Sequence, residues 1–311
     1  VNGKEMTPMR TQSIADLLSS GPRHLSIADD VVISADARVR LGDCVTIGDR
    51  VRIVGSGKLS IGDYTTVHHD AVIQLGSSGL VTIGHNCWFG GHCVLDGTGG
   101  LNICNGVRVG MYSQIWTHAV AGEIIRGCKI SGVQFTTIGD LCWLIGRVVV
   151  NPGVVLPKQT VVSNESLVTR RGCWNLTQPG LMLQGSPARV IDNYSPWEEL
   201  SLGHKMRMMR SWTTDFAQQQ NASILVLDRG SALERIRIGD SASGLPYLVV
   251  RANVLWWLYS GLRAINPICS LFDVSTMTYT KHLTDLEVSF MRYLSDHKAR
   301  FIPRTEEDDQ C

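Results

Sequence analysis

A six-residue period constrains this chain more than any other feature. Large apolar residues recur at Leu41, Ile47 and Ile53, then Ile61, Val67 and Ile73, then Ile83, Phe89 and Leu95, then Ile103, Val109 and Ile115. The step is six within each trio and eight, ten and eight between trios, so whole cycles run 20, 22 and 20 residues. A helix needs a period of 3.6 and a free-standing strand a period of 2, so neither sustains a six. A triangular coil does. Each hexad supplies one short strand and a corner, three hexads close a turn, and the large apolar residue points into the prism. Small or β-branched residues stand four places later, at Val45, Val51, Thr65, Ala71, Cys87, Cys93, Val107 and Ser113. Glycine follows the apolar residue at Gly42, Gly48, Gly62, Gly84 and Gly110, where it is expected to relieve crowding and take positive φ. After a gap the pattern resumes at Ile138, Leu144, Val150, Leu156, Val162 and Val168.

The expected fold is therefore mainly β: a segment 1–24, a parallel β-helix over 25–192, and a small α+β domain over 193–311. In the last part, Pro196 to Gln220 and Leu283 to Arg300 read as helices. Ser223 to Asp228, Arg235 to Gly239, Tyr247 to Val254 and Leu271 to Thr280 read as strands. Trp256 and Trp257 are expected in a core or interface, and the acidic tail Thr305 to Cys311 is expected to be loose.

With 29 basic and 28 acidic residues the net charge is +1, which leaves no electrostatic footprint for nucleic acid or an anionic membrane. Val1 to Arg10 lacks the apolar core of a signal peptide. Leu245 to Leu258 is broken by Arg251 and too short to span a bilayer. Nine scattered cysteines without a C-x-x-C pair read as reduced, mostly buried thiols that hold no metal, so a cytoplasmic protein is expected. His68, His69, His85 and His92 raise the possibility of a zinc site. Adjacent His68 and His69 should point in different directions on a strand, however, and no histidine closely follows His118, so no metal is expected.

The period is interrupted at length over 116–132, and such a break in a regular coil is usually functional. His118 stands at its base. Imidazole suits a general base at neutral pH, and a carboxylate on its far nitrogen would fix the tautomer, for which Glu123 in the same loop is the nearest candidate. Trp143, last in its hexad, should point out of the prism.

Three runs carry a resemblance: Ile138-Gly-Asp-Leu-Cys-Trp-Leu-Ile-Gly146, Val162-Ser-Asn-Glu-Ser-Leu-Val-Thr-Arg170 and Gly185-Ser-Pro-Ala-Arg189. In this order they resemble the hexapeptide-repeat acyltransferases of the sugar and polysaccharide O-acetyltransferase type. That resemblance implies a left-handed β-helix, acetyl-CoA as co-substrate, a carbohydrate acceptor and a homotrimer with sites between subunits. It implies direct transfer with His118 as base, and a Gly146 N–H as donor to the developing oxyanion. Trp143 would wall the acceptor or pantetheine groove, Asn164 and Thr169 would line the pantetheine arm, and Arg170 and Arg189 would meet the phosphates. Two readings stay open beside it: N-acetylation of an amino sugar or nucleotide sugar, and a non-catalytic β-helical scaffold whose loop binds a partner.

Overall fold

The computed structural model describes residues 21–130, 132–227, 235–239, 246–252 and 269–304. Trp256, Trp257 and the acidic tail lie outside the described residues. The chain divides into two compact units, Val1–Trp197 and Glu198–Cys311.

The first unit is a three-sided parallel β-helix. Its first face starts at Ser26–Ile27 and holds nine strands, its second starts at Val32–Ile33 and holds seven, and its third starts at Arg38–Leu41 and holds six. Each strand pairs in parallel with its counterpart one coil away. Along the first face Thr46 aligns with Thr66, Thr66 with Trp88, Trp88 with Arg108, and Arg108 with Trp143. An antiparallel hairpin, Met182–Gly185 with Ala188–Val190, ends that face.

The period predicts the core closely. Ile47, Ile53, Ile61, Val67, Ile73, Ile83, Phe89, Leu95, Ile103, Val109 and Ile115 are all buried, as are the small residues two places ahead of most of them. Strand alternation sends both inward, so each coil adds a large and a small layer to one continuous core. The glycine expectation is half right. Positive φ does not fall on Gly42, Gly48, Gly62, Gly84 or Gly110. It falls three places after the apolar residue, on corner residues such as Cys44, Arg50, Tyr64, Asp70, Asn86 and His92. What the glycines supply is close approach between coils. A Cβ on Gly62 would lie 2.7 Å from the Gly84 carbonyl carbon, and one on Gly110 would collide with the Ile145 carbonyl.

The three corners differ. Between the third and first faces a side chain from each coil accepts a backbone N–H from the coil before it. Asp43 N–H donates to Asp63 Oδ1 at 2.8 Å, Asp63 N–H to His85 Nδ1 at 2.9 Å, His85 N–H to Asn105 Oδ1 at 2.9 Å, and Asn105 N–H to Asp140 Oδ1 at 2.8 Å. Between the first and second faces, Arg50, Asp70, His92, Tyr112, Arg147 and Glu165 form a column of positive-φ residues, one per coil. Between the second and third faces the surplus residues are inserted, and there the 116–132 excursion leaves the prism.

The second unit is α+β. Ile224–Leu227, Arg235–Ile238, Tyr247–Arg251, Cys269–Asp273, Thr278–Tyr279 and Ile302–Pro303 form one mixed sheet in that order. Helices Leu202–Gln219 and Asp285–Asp296 pack on it through Phe216, Phe272 and Phe290, whose rings lie 5.0 and 5.1 Å apart. No helix among the described residues is long and apolar enough to cross a membrane.

The corner ladder is open to test. Asp63→Ala removes the acceptor for Asp43 N–H at a position only 4% exposed, and should lower unfolding free energy by about 1–3 kcal/mol. Asp63→Asn keeps an acceptor oxygen and should cost less. Chemical denaturation of the two variants checks the order.

Candidate active site

The excursion begins as a two-residue ribbon in which His118 pairs with Val133 and Ala119 with Gly132, and its tip carries a turn of 3-10 helix at Ile124–Arg126. Its root is tied to the coils on either side. Gln134 N–H donates to the Thr117 carbonyl at 2.8 Å, and Thr136 Oγ1 donates to the Trp116 carbonyl at 3.2 Å. Gly99 N–H donates to Thr117 Oγ1 at 2.8 Å. His118 therefore stands on rigid backbone although the loop beyond it is exposed.

Its partner is Asp96, one coil earlier at the end of strand Val94–Asp96. His118 Nδ1 lies 2.7 Å from Asp96 Oδ2, and the carboxylate is fully buried. The same oxygen accepts from Thr117 N–H at 2.8 Å and Thr117 Oγ1 at 2.6 Å. The other accepts from Thr98 N–H at 3.2 Å and Thr98 Oγ1 at 2.7 Å. Burial alone would raise the Asp96 carboxyl, but the hydrogen bonds from Thr117, Thr98 and His118 outweigh it and hold the carboxyl below its ordinary value. An ionised Asp96 accepts from Nδ1–H, which leaves the His118 Nε2 lone pair free to take a proton. The His118 side chain is 21% exposed, enough for a substrate atom to reach it. Trp116 flanks it, ring centroids 6.2 Å apart, with its indole N–H held by Gln114.

Glu123 is thus corrected as the partner of His118. It sits on the exposed part of the loop, where among the described residues its backbone carbonyl accepts from Arg126 and Cys128. Asp96 was missed because it is distant in sequence. Its signal is the coil step: it aligns one coil above Gln74 and one coil below Trp116.

Trp143, Gly146 and Asn164 do come together. They line a groove of about 590 Å³ with Trp88, Met111, Tyr112, Arg147 and Glu165, running along the corner between the first and second faces. Trp88 and Trp143, aligned two coils apart, wall the same groove. Gly146 lines the groove, and its N–H has no hydrogen-bond acceptor among the described residues. The groove and His118 nevertheless occupy opposite ends of the second face. Tyr112 to Thr117 is five residues of extended chain, on the order of 15 Å.

The remaining predicted contacts lie elsewhere. Thr169 caps a short helix, Arg170–Cys173, by accepting from Gly172 N–H at 3.2 Å. Arg170 donates to Gln134 Oε1 at 3.2 Å, which links it to the root of the His118 loop. Arg189 donates to the carbonyl of Ala188. None of the three lines the groove. Burial pushes the Cys87 and Cys142 thiols up to about 12 and Cys93 to about 11, so none of these three is a ready nucleophile.

The sign of the Asp96 shift sets a pH dependence. Its folded-state value lies below 3.8, so its contribution to stability is full above the unfolded value and disappears as pH falls through the folded one. Asp96→Asn should flatten the acid limb of a stability–pH profile below about pH 4, compared with the parent.

No protein-family model matches the chain. Solved structures similar to it include AntD, an N-acyltransferase from Bacillus cereus in complex with dTDP and coenzyme A, at 16% identity over 67% of this chain and 98% of that one, TM-score 0.40. The hexapeptide-repeat acetyltransferase VCA0836 from Vibrio cholerae is similar at 18% identity, over 59% of this chain and 77% of its own, TM-score 0.29. The polysialic acid O-acetyltransferase OatWY is similar at 14% identity, over 61% and 98%, TM-score 0.27. These likenesses are distant.

Proposed function

We propose that the protein is an acyltransferase that moves an acetyl group from acetyl-CoA to a carbohydrate hydroxyl, with His118 as general base and Asp96 as its positioning residue. The observation that carries this reading is the buried, fully hydrogen-bonded Asp96 carboxylate 2.7 Å from His118 Nδ1. Nε2 takes the proton of the hydroxyl as its oxygen attacks the thioester carbonyl carbon. The tetrahedral intermediate collapses, the carbon–sulfur bond breaks, and the imidazolium returns the proton to the leaving thiolate. The oxyanion needs a fixed donor, and Gly146 N–H in the groove is our assignment.

Acetyl-CoA would lie in the groove of Trp143, Gly146 and Asn164 of one chain; Thr169, Arg170 and Arg189 stand outside that groove and would reach the coenzyme from the chain that supplies His118. Because that groove and His118 stand at opposite ends of one face, a complete site joins His118 of one chain to the groove of another. A homotrimer with three such sites satisfies this. We place the reaction in the cytoplasm, on a glycan not yet exported.

Acetyl-CoA turnover read by mass spectrometry against oligosaccharides, sialic acids and amino sugars tests the proposal. His118→Ala should lower acceptor-dependent kcat/KM by about 100- to 10,000-fold. Asp96→Asn should lower kcat by on the order of 100-fold or more with KM for acetyl-CoA unchanged. Trp143→Ala should instead raise KM for acetyl-CoA. Lability of the product to mild base identifies an ester rather than an amide. A folded protein that neither binds nor turns over acetyl-CoA overturns the assignment in favour of a scaffold.

A further inference from the structure

The corner between the first and second faces brings together a second set of chemistry-bearing side chains, below the groove. His69 Nδ1 lies 2.9 Å from Asp70 Oδ2, and His92 Nε2 lies 3.8 Å from the same oxygen. One ligand atom from each of the three residues falls within 4.8 Å of the others. Adjacent His68 and His69 do point apart, since His68 packs its ring on Trp88 at 5.0 Å. The second imidazole comes from the next coil, in His92, where sequence adjacency gives no hint of it.

From this geometry we infer a binding site for a divalent transition-metal ion, held by His69, Asp70 and His92. Metal–ligand bonds of about 2.0–2.1 Å in a tetrahedron place ligand atoms about 3.3 Å apart. The separations of 2.9 and 3.8 Å straddle that value and no pair of ligand atoms exceeds 4.8 Å, so binding draws the rings together by at most about 1.5 Å. Two imidazoles and one carboxylate suit zinc, nickel or copper and not magnesium or calcium. The three side chains are 41%, 25% and 39% exposed, which leaves room for water in the remaining positions.

The surroundings hold the ligands in place. Arg50 Nε and Nη2 meet the Asp70 carboxylate at 2.7 and 2.8 Å and fix its plane. A carboxylate oxygen carries two lone pairs, so Oδ2 can serve both the guanidinium and an ion. Tyr112 stacks on the His92 ring at 4.8 Å, nearly parallel. Backbone hydrogen bonds from His92 N–H to the His69 carbonyl and from Asp70 N–H to the Asp49 carbonyl lock the coils. Gly91 leaves space for the His69 ring, because a Cβ there would come within 2.6 Å of it. The guanidinium charge opposes a second cation, so it tunes the affinity downward.

Calorimetric titration of metal-free protein with zinc, paired with cobalt absorption spectra, tests the site without reference to turnover. One zinc ion per chain should bind with micromolar affinity. His92→Asn and His69→Gln should each weaken binding by about 100-fold. His118→Ala should leave it unchanged. The cobalt spectrum should lack a thiolate charge-transfer band. Absence of binding up to about 1 mM zinc, survival of binding in both histidine variants, or a thiolate band from the cysteines would each overturn the site.

Discussion

Every coil of the prism takes its backbone hydrogen bonds from the coils above and below it, and that requirement shapes the rest of the molecule. Donors on one coil meet acceptors on the next with little freedom of register, so each coil must have the same cross-section. A constant cross-section explains the six-residue step, the alternation of large and small inward residues, and the glycines where one coil nearly touches another. It also explains where variation is allowed. Extra residues are confined to the corner between the second and third faces, where the chain leaves and re-enters without shifting a strand.

At that corner the electrostatics are specific. A carboxylate with no solvent exposure is costly unless its lone pairs are filled, and Asp96 has five donors directed at it. Four come from threonines on its own turn and at the excursion's root, and the fifth is a partly exposed imidazole. A loop serving only to bind a partner has no use for a buried anion that fixes a surface histidine's tautomer. The arrangement fits a group that must accept and return a proton at one nitrogen. For that reason the catalytic reading is favoured over the scaffold.

The prism was legible because its core is periodic, and a period survives any local substitution. His118 was legible because it stands where the period breaks. Asp96 and the pairing of His69 with His92 were not, since their partners lie 22 and 23 residues away in sequence and only the coil step makes them neighbours. Glu123 is nearer to His118 along the chain, but the coil step sets the Asp96 carboxylate against Nδ1. The corner φ values were misplaced for a related reason: glycine marks crowding between coils here, while positive φ is carried by arginine, aspartate, histidine and tyrosine. In the second unit the two helices follow apolar spacing, with boundaries shortened where caps such as Thr284 end the run, but the expected strand Leu271 to Thr280 is two antiparallel strands, Cys269–Asp273 and Thr278–Tyr279, and the short strand Ile302–Pro303 carries no apolar period to announce it.

The same register that builds the core also stacks side chains of adjacent coils into columns along each edge. One edge carries hydrogen-bond acceptors that close the corners. A second carries Arg50, Asp70, His92, Tyr112, Arg147 and Glu165 in contact from coil to coil, leading up to the groove. The third carries the Asp96–His118 pair. A prism has no concave face on which these edges converge, so His118 and the groove stand apart on one chain. On the proposed assignment a neighbouring chain would bring them together. In this fold, association between chains is therefore a requirement of the proposed chemistry, set by the same rigid cross-section that makes the coil stable.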